Sequence, residues 1–122
     1  MHELSVCQEI VMQVERIARE RQARVSSITL RIGPLSGVEP ALLQQAYPLA
    51  AAGTCLSAAL LVIDSIPVRV HCRICGQDSV AAPNRMLCAE CGDWRTELLS
   101  GDELLLASVE LSRDPAAGTT IQ

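Results

Sequence analysis

Two short stretches of the sequence carry side chains that could bind metal ions. In one stretch, Cys72 and Cys75 are separated by two residues, and Cys88 and Cys91 repeat that spacing, each pair being followed by glycine. A two-residue gap allows both sulfurs of a pair to face one ion, and four thiolates complete a closed tetrahedral shell. The pattern predicts a structural Zn²⁺ site. Iron held by the same residues, or four free or disulfide-bonded cysteines, are the alternatives.

The other stretch is the amino terminus, which reads MHELSVC. The terminal amine of Met1, the next amide nitrogen and the His2 imidazole can chelate one ion in fused rings, and such a planar set of nitrogen donors suits Ni²⁺ or Cu²⁺. Glu3 could add an oxygen ligand or orient another ligand. Chain ends usually fray, so an incidental surface histidine fits the same residues. The spacing alone leaves both interpretations open.

The remaining reactive side chains do not form a catalytic pattern. Cys7 lies on the apolar stripe of a predicted helix and Cys55 lies among alanine and leucine, so we expect both to be buried. His71 adjoins Cys72 and could replace one of the thiolates under some conditions, but we expect it to be an exposed histidine beside a shell that is already complete. No nucleophile–base pairing and no glycine-rich phosphate loop is present, which predicts a protein that is not an enzyme.

Composition excludes further classes of function. The net charge is −4 and only two of the 122 residues are aromatic, which argues against nucleic-acid binding. The most apolar window, residues 46–63, contains proline and glycine and is better explained by a helix end, a turn and a strand than by a membrane span. We expect a cytoplasmic protein with no signal peptide, and there six cysteines favour metal or buried thiols over disulfides.

Hydrophobic periodicity predicts the elements that must position these residues. An amphipathic helix is predicted over residues 3–22, a half-buried strand over 25–33 and a second helix over 41–53. A second strand region follows over 56–70, broken or bent at Pro67, and a last strand covers 101–111. Between them, residues 70–96 are poor in aliphatic side chains and resemble a small insert. Glu39, Asp102 and Glu103 lie at element edges, where solvated or capping roles are expected.

Taken in order along the chain, these segments resemble the HypA/HybF family of hydrogenase maturation proteins. The resemblance rests on five segments: MHELSVCQ-I, LRIGPLSGVEP, the AGT turn after the second helix, the paired C-x-x-C motifs, and GDELLL-S-E near the end. It covers residues 1 to about 111. The second helix is richer in alanine and glutamine than the family pattern suggests, which bears on its packing and not on the metal sites.

The resemblance implies an α+β fold, in which two helices pack on a small three-stranded sheet and a zinc-ribbon-like four-cysteine module is inserted before the last strand. The implied domains are a nickel-binding α/β domain over 1–69 plus 97–112 and a zinc-binding module over 70–96. Residues 113–122 are expected to form a disordered tail. The implied nickel ligands are Met1 through its amine, His2 and Glu3, and the implied zinc ligands are Cys72, Cys75, Cys88 and Cys91.

The function implied by the resemblance is that of a metallochaperone. It carries Ni²⁺ to the large-subunit precursor of [NiFe] hydrogenase, with a HypB-like accessory GTPase as partner, and in some species serves urease. Zn²⁺ is then structural, and whether the chain forms a homodimer is open. The alternative is a zinc-ribbon adaptor that binds another protein and transports no metal; it explains the cysteines but not the amino terminus.

Overall fold

The computed structural model describes residues 3–112 and contains two helices and six strands in that range. In chain order the elements are α1 (Glu3–Glu20), β1 (Arg24–Ile32), α2 (Pro40–Ala51), β2 (Leu60–Ser65), β3 (Arg69–Cys72), β4 (Asp78–Val80), β5 (Thr96–Ser100) and β6 (Leu104–Ser112). The predicted helices and strands are present at their expected places, and β4 and β5 are additional. Met1, His2 and the predicted tail lie outside the described residues.

The chain divides into two units by its internal contacts. The first unit takes its described residues from Met1–Leu30, Glu39–Ile63 and Leu106–Gln122. The second consists of Arg31–Val38 and Asp64–Leu105. The module boundaries at residues 70 and 96 stay a prediction, because a metal-dependent module is defined by what unfolds when the metal is removed.

Helix α1 is amphipathic, as its sequence predicts. Its buried residues recur at intervals of three and four, and the helix packs against α2; they are Cys7, Val11, Val14 and Ala18. The Cys7 thiol donates a hydrogen bond to the Leu43 carbonyl oxygen of α2 at 3.5 Å. Neither described helix is long and apolar enough to cross a membrane.

Helix α2 begins and ends at residues suited to those positions. Glu39 caps its start, since its carboxylate accepts a hydrogen bond from the Ala41 amide, and Pro40 occupies the first turn, where a missing N–H costs nothing. The helix continues past Pro48 to Ala51, where the Thr54 hydroxyl donates to the Ala51 carbonyl at 2.7 Å. The capping role expected for Glu39 is confirmed.

The three-stranded sheet has the order β2-β1-β6, with β1 at its centre. Ile28, Leu30 and Ile32 of β1 are buried, which confirms the alternation predicted from the sequence. Ser27, which the same alternation placed on the opposite side, is also buried, and its hydroxyl donates to the Glu110 carboxylate at 2.6 Å. This side-chain bond joins β1 to β6 in addition to the strand pairing.

A second sheet of order β4-β3-β5 lies within the second unit. Strand β3 pairs antiparallel with both neighbours, so that Val70 lies opposite Ser79 on one side and Leu98 on the other. The strand region predicted over 56–70 is therefore two strands in different sheets, β2 and β3, separated around Pro67. Proline cannot donate a ladder hydrogen bond, which explains why the region breaks there.

Gly33 and Gly101 allow two backbone segments of the second unit to cross in close contact. The Leu35 amide donates to the Gly101 carbonyl at 2.7 Å, and the Gly33 amide donates to the Glu103 carbonyl at 2.9 Å. A Cβ atom on Gly33 would overlap the Gly101 carbonyl group, which is backbone and cannot rotate away. The Glu103 carboxylate accepts from the Gly101 amide at 2.7 Å and closes the loop.

Replacing Gly33 by alanine should therefore lower the free energy of unfolding by about 3 kcal/mol, because the added methyl group forces backbone apart. Gly37→Ala is the matched control: its φ of 84° strains alanine, but nothing lies near the added Cβ. We expect it to cost about 1 kcal/mol. Urea unfolding of both variants measures the difference. Equal destabilisation of the two variants would show that the backbone accommodates the methyl group at Gly33 without the expected cost of overlap.

Candidate metal centres

The four cysteines of the paired motifs converge on one point in the second unit. Cys72 ends β3, Cys75 lies in the turn that follows, and Cys88 and Cys91 lie in turns between β4 and β5. Their Sγ atoms all lie within 4.8 Å of one another. The closest approaches join the two motifs, since Cys72 Sγ lies 3.6 Å from Cys91 Sγ and Cys75 Sγ lies 3.6 Å from Cys88 Sγ.

These separations fit a tetrahedral thiolate site. Four sulfurs bonded at about 2.3 Å to a central Zn²⁺ ion would lie about 3.8 Å apart. Sulfurs joined in a disulfide would be about 2.05 Å apart, and all four cysteines are free. The prediction that these residues form one cluster is confirmed. The donor set itself suits zinc and also an iron centre.

Two hydrogen-bonded turns with matching backbone geometry hold the sulfurs. The Gly76 amide donates to the Cys72 carbonyl at 3.0 Å, and the Gly92 amide donates to the Cys88 carbonyl at 2.9 Å. Both glycines adopt a left-handed conformation, with φ of 78° and 79°. A side chain is strained in that conformation, which explains why glycine follows each pair.

Backbone amides point at the first sulfur of each pair. Cys72 Sγ accepts from the amides of Ile74 and Cys75, both at 3.4 Å. Cys88 Sγ accepts from the amides of Glu90 and Cys91 at 3.3 and 3.4 Å. N–H groups aimed at sulfur favour the charged thiolate, which is the form that binds a metal ion.

The amide hydrogen bonds give the thiols of the cluster different pKa values. The Cys91 amide lowers the pKa of Cys88 to about 6, with help from the Glu90 amide, and the Cys75 amide leads the lowering of the Cys72 pKa. For Cys75 the Gln77 amide acts in the same direction, but removal of water and the neighbouring sulfurs outweigh it and raise the pKa to about 12. Four thiolates this close repel one another, so full deprotonation requires a cation.

Arg95 lies beside the sulfur cluster, and its side chain contacts its sequence neighbours Asp93 and Trp94. The Arg95 guanidinium binds the Asp93 carboxylate through two hydrogen bonds of 2.9 Å each and lies 5.8 Å from the centre of the Trp94 ring. The hydrogen bond from Arg95 lowers the pKa of Asp93 to about 2. The pair therefore stays charged throughout the physiological range and adds no net charge next to the sulfurs.

His71 is not part of the sulfur cluster. It lies opposite Asp78 in the β3–β4 pairing, and its Nδ1 atom lies 2.7 Å from Asp78 Oδ1. Both side chains are partly open to solvent, at 40% and 50% exposure. The expectation of a solvent-accessible histidine outside the metal shell agrees with this arrangement.

At the amino-terminal candidate site the structure describes Glu3 but neither Met1 nor His2. Glu3 begins α1, and its carboxylate accepts a hydrogen bond from the Glu39 amide at the start of α2, at 3.3 Å. A carboxylate is favoured there by the positive end of the α2 dipole. The contact joins the Glu3 side chain to the Glu39 backbone, which sequence spacing did not reveal. The ligand roles of Met1, His2 and Glu3 stay predictions.

The two cysteines outside the cluster differ in exposure. Cys7 is only 2% exposed, which confirms the prediction, and burial raises the pKa of its thiol. Cys55 is exposed, so the expectation that it is buried is wrong. It lies in the turn after α2, and the neighbouring Leu56 enters the core in its place. Residual burial and the charge of Glu15 still raise the pKa of Cys55.

Comparison with known proteins identifies related sequences and structures. Residues 1–111 match the family described as "Hydrogenase/urease nickel incorporation, metallochaperone, hypA". The Hydrogenase maturation factor HypA of Nitrosospira multiformis is 47% identical over 112 residues, covering 91% of this chain and 97% of that protein. The protein of the same name from Streptomyces avermitilis is 43% identical over 112 residues, covering 89% and 86%.

Solved structures agree at the level of the fold. The solution structure of the Ni metallochaperone HypA from Helicobacter pylori superposes with a TM-score of 0.62 at 24% identity, covering 91% of this chain and 97% of that one. A second solution structure, of HypA protein, has a TM-score of 0.69 at 24% identity, covering 93% and 98%. The α+β fold predicted for the chain is confirmed.

If a metal ion occupies the four-cysteine cluster, its removal should unfold the cysteine turns. Within residues 73–100 the buried residues are Ser79 and Cys88, so this stretch has almost no apolar core of its own. We expect a strong chelator to collapse the amide NMR dispersion of this stretch, while α1 and α2 keep their signals. Added Zn²⁺ should restore the spectrum. Retained dispersion in metal-free protein would contradict a metal-dependent module.

Proposed function

The chain belongs to the HypA family of hydrogenase and urease nickel-incorporation metallochaperones, and from this we propose that it binds Ni²⁺ at its amino terminus and delivers it during maturation of [NiFe] hydrogenase. Family members are maturation factors, so the chain is not an enzyme. The observation that carries the proposal is the match over residues 1–111, which includes both candidate metal sites.

We further propose that Zn²⁺ occupies the four-cysteine cluster and has a structural role. The sulfur separations suit a tetrahedral ion, and four protein ligands leave no open position for chemistry. In that role the ion stabilises a segment that buries almost no apolar surface. Cys72, Cys75, Cys88 and Cys91 would hold it.

The proposed nickel ligands are the Met1 amine, His2 and Glu3. Support for an ordered site comes from the Glu3–Glu39 hydrogen bond, which holds the first residue of α1 against the start of α2. An anchored first turn lowers the entropy that ligand ordering would cost. A carrier must also release its cargo, and each change of about 1.4 kcal/mol alters affinity tenfold, so few contacts separate a carrier from a permanent site.

The proposed partners follow from the delivery role. They are a HypB-like accessory GTPase and the large-subunit precursor of [NiFe] hydrogenase, in the cytoplasm, and urease is a second destination consistent with the family description. Nucleic acid and membrane are not among them. The net charge of −4 is unfavourable for binding to phosphates.

His2→Ala should abolish specific Ni²⁺ binding, measured by calorimetric titration, because the imidazole is the one aromatic nitrogen donor proposed at the site. The matched control is His71→Ala, which removes the other histidine of the chain, and it should bind Ni²⁺ like the unaltered protein. Zinc content, measured in parallel, should stay constant in both. If His2→Ala binds Ni²⁺ normally, a zinc-ribbon adaptor without metal transport becomes the better interpretation.

Acetylation of the terminal amine tests that group separately from the imidazole. An acetylated nitrogen has no lone pair free to bind a metal ion, so Ni²⁺ binding should weaken at least tenfold if the amine is a ligand. Circular dichroism should show unchanged helix content, because the acetyl group precedes α1. Undiminished affinity of the acetylated protein would exclude the amine as a ligand.

A further inference from the structure

The four cysteines of the cluster are not equivalent in exposure. Cys72 and Cys88 are buried, at 0% and 3% exposure, whereas Cys75 and Cys91 are exposed. The difference follows the two turns, because the first cysteine of each pair lies under the turn and the second lies on its outer side. An approaching reagent therefore meets Cys75 and Cys91 first.

Hydrogen bonding reinforces this difference. Cys72 Sγ and Cys88 Sγ each accept two backbone N–H groups, which draw electron density from sulfur and cover it. Cys75 and Cys91 each have one such donor, the amides of Gln77 and Asp93. Nucleophilic reactivity of cysteine depends on thiolate character together with access. In a metal site all four sulfurs are thiolates, so access and amide donation decide which of them react.

We propose that Cys75 and Cys91 form a modification site for peroxides, and that their oxidation releases the zinc. The inference rests on the proposed occupancy of the cluster by Zn²⁺. The exposed sulfur reacts first, and a buried sulfur of the other turn then reacts with it. Each exposed sulfur has such a partner at 3.6 Å, namely Cys88 for Cys75 and Cys72 for Cys91.

Hydrogen peroxide is the only oxidant that the reaction requires. The Cys75 thiolate attacks one peroxide oxygen, the O–O bond breaks, and hydroxide leaves, which gives a sulfenic acid. The Cys88 thiolate then attacks that sulfur, an S–S bond forms, the S–O bond breaks, and a second hydroxide leaves. Two electrons pass from the two sulfurs to hydrogen peroxide. Only two thiolates remain in the cluster, too few for the closed shell.

Cys55 is a control that distinguishes the effect of exposure from the effect of belonging to the sulfur cluster. It is exposed like Cys75 and Cys91, but no metal-ligand group among residues 3–112 includes it, and its raised pKa keeps it a thiol at neutral pH. A reagent that selects for exposure alone would attack all three. A reagent that needs an accessible thiolate would spare Cys55.

The test uses the full chain loaded with Zn²⁺, with the zinc content measured first. A pulse of N-ethylmaleimide followed by mass spectrometry should label Cys75 and Cys91 at least tenfold faster than Cys72 and Cys88. Hydrogen peroxide should release one zinc per chain, followed with a chromogenic chelator, as Cys75–Cys88 or Cys72–Cys91 disulfides appear. Cys55→Ser should release zinc at the same rate as the unaltered chain.

The results that contradict this inference can be told apart from those that also contradict the proposed zinc site. Equal labelling of the four cluster cysteines, or zinc that stays bound while Cys75 and Cys91 are oxidised, overturns this inference and leaves the zinc site intact. Slower release from Cys55→Ser would place the sensitive thiol outside the cluster, and that also overturns it. A chain that holds no zinc before peroxide is added contradicts the proposed zinc site as well.

Discussion

The mutual repulsion of four sulfurs within 4.8 Å is the constraint on which the cysteine turns depend. The second unit buries Ile66, Val68 and Val70 ahead of the turns, but residues 73–100 bury only Ser79 and Cys88, so little apolar burial compensates for bringing the cysteines together. A divalent cation bound there would convert that repulsion into attraction and supply folding free energy to the turns. The short strands β3, β4 and β5 then need only to place two turns opposite each other.

The two cysteine turns have the same backbone geometry, yet the two sulfurs within each turn differ in exposure. Each has the same glycine conformation and the same pair of amides aimed at its first sulfur, so the polypeptide presents two nearly identical half-sites. Within each turn, however, one sulfur is buried under the backbone and the other is exposed. A site that is closed to substrate chemistry is thus open to small reagents at two of its four ligands.

The first unit positions Glu3, the first residue of α1, by packing rather than by metal. Helix α1 packs against α2, and the Glu3 carboxylate accepts a hydrogen bond from the amide of Glu39, the residue before α2. The α1 stripe and the β1 alternation were predictable because a period of 3.6 or 2 residues is recorded in the sequence itself. The contact between Glu3 and Glu39 was not, since it joins residues 36 positions apart.

By itself, the sequence determined what depends on neighbouring residues: the spacing of the cysteine pairs, the glycine after each pair, the stripe of α1, and the break near Pro67. Only the tertiary structure decided that β2 and β3 belong to different sheets, that Cys55 is exposed, and that Cys75 and Cys91 are more accessible than Cys72 and Cys88. The physical reason is that burial and strand pairing depend on segments distant in the chain, whereas turn geometry and periodicity depend on a few consecutive residues.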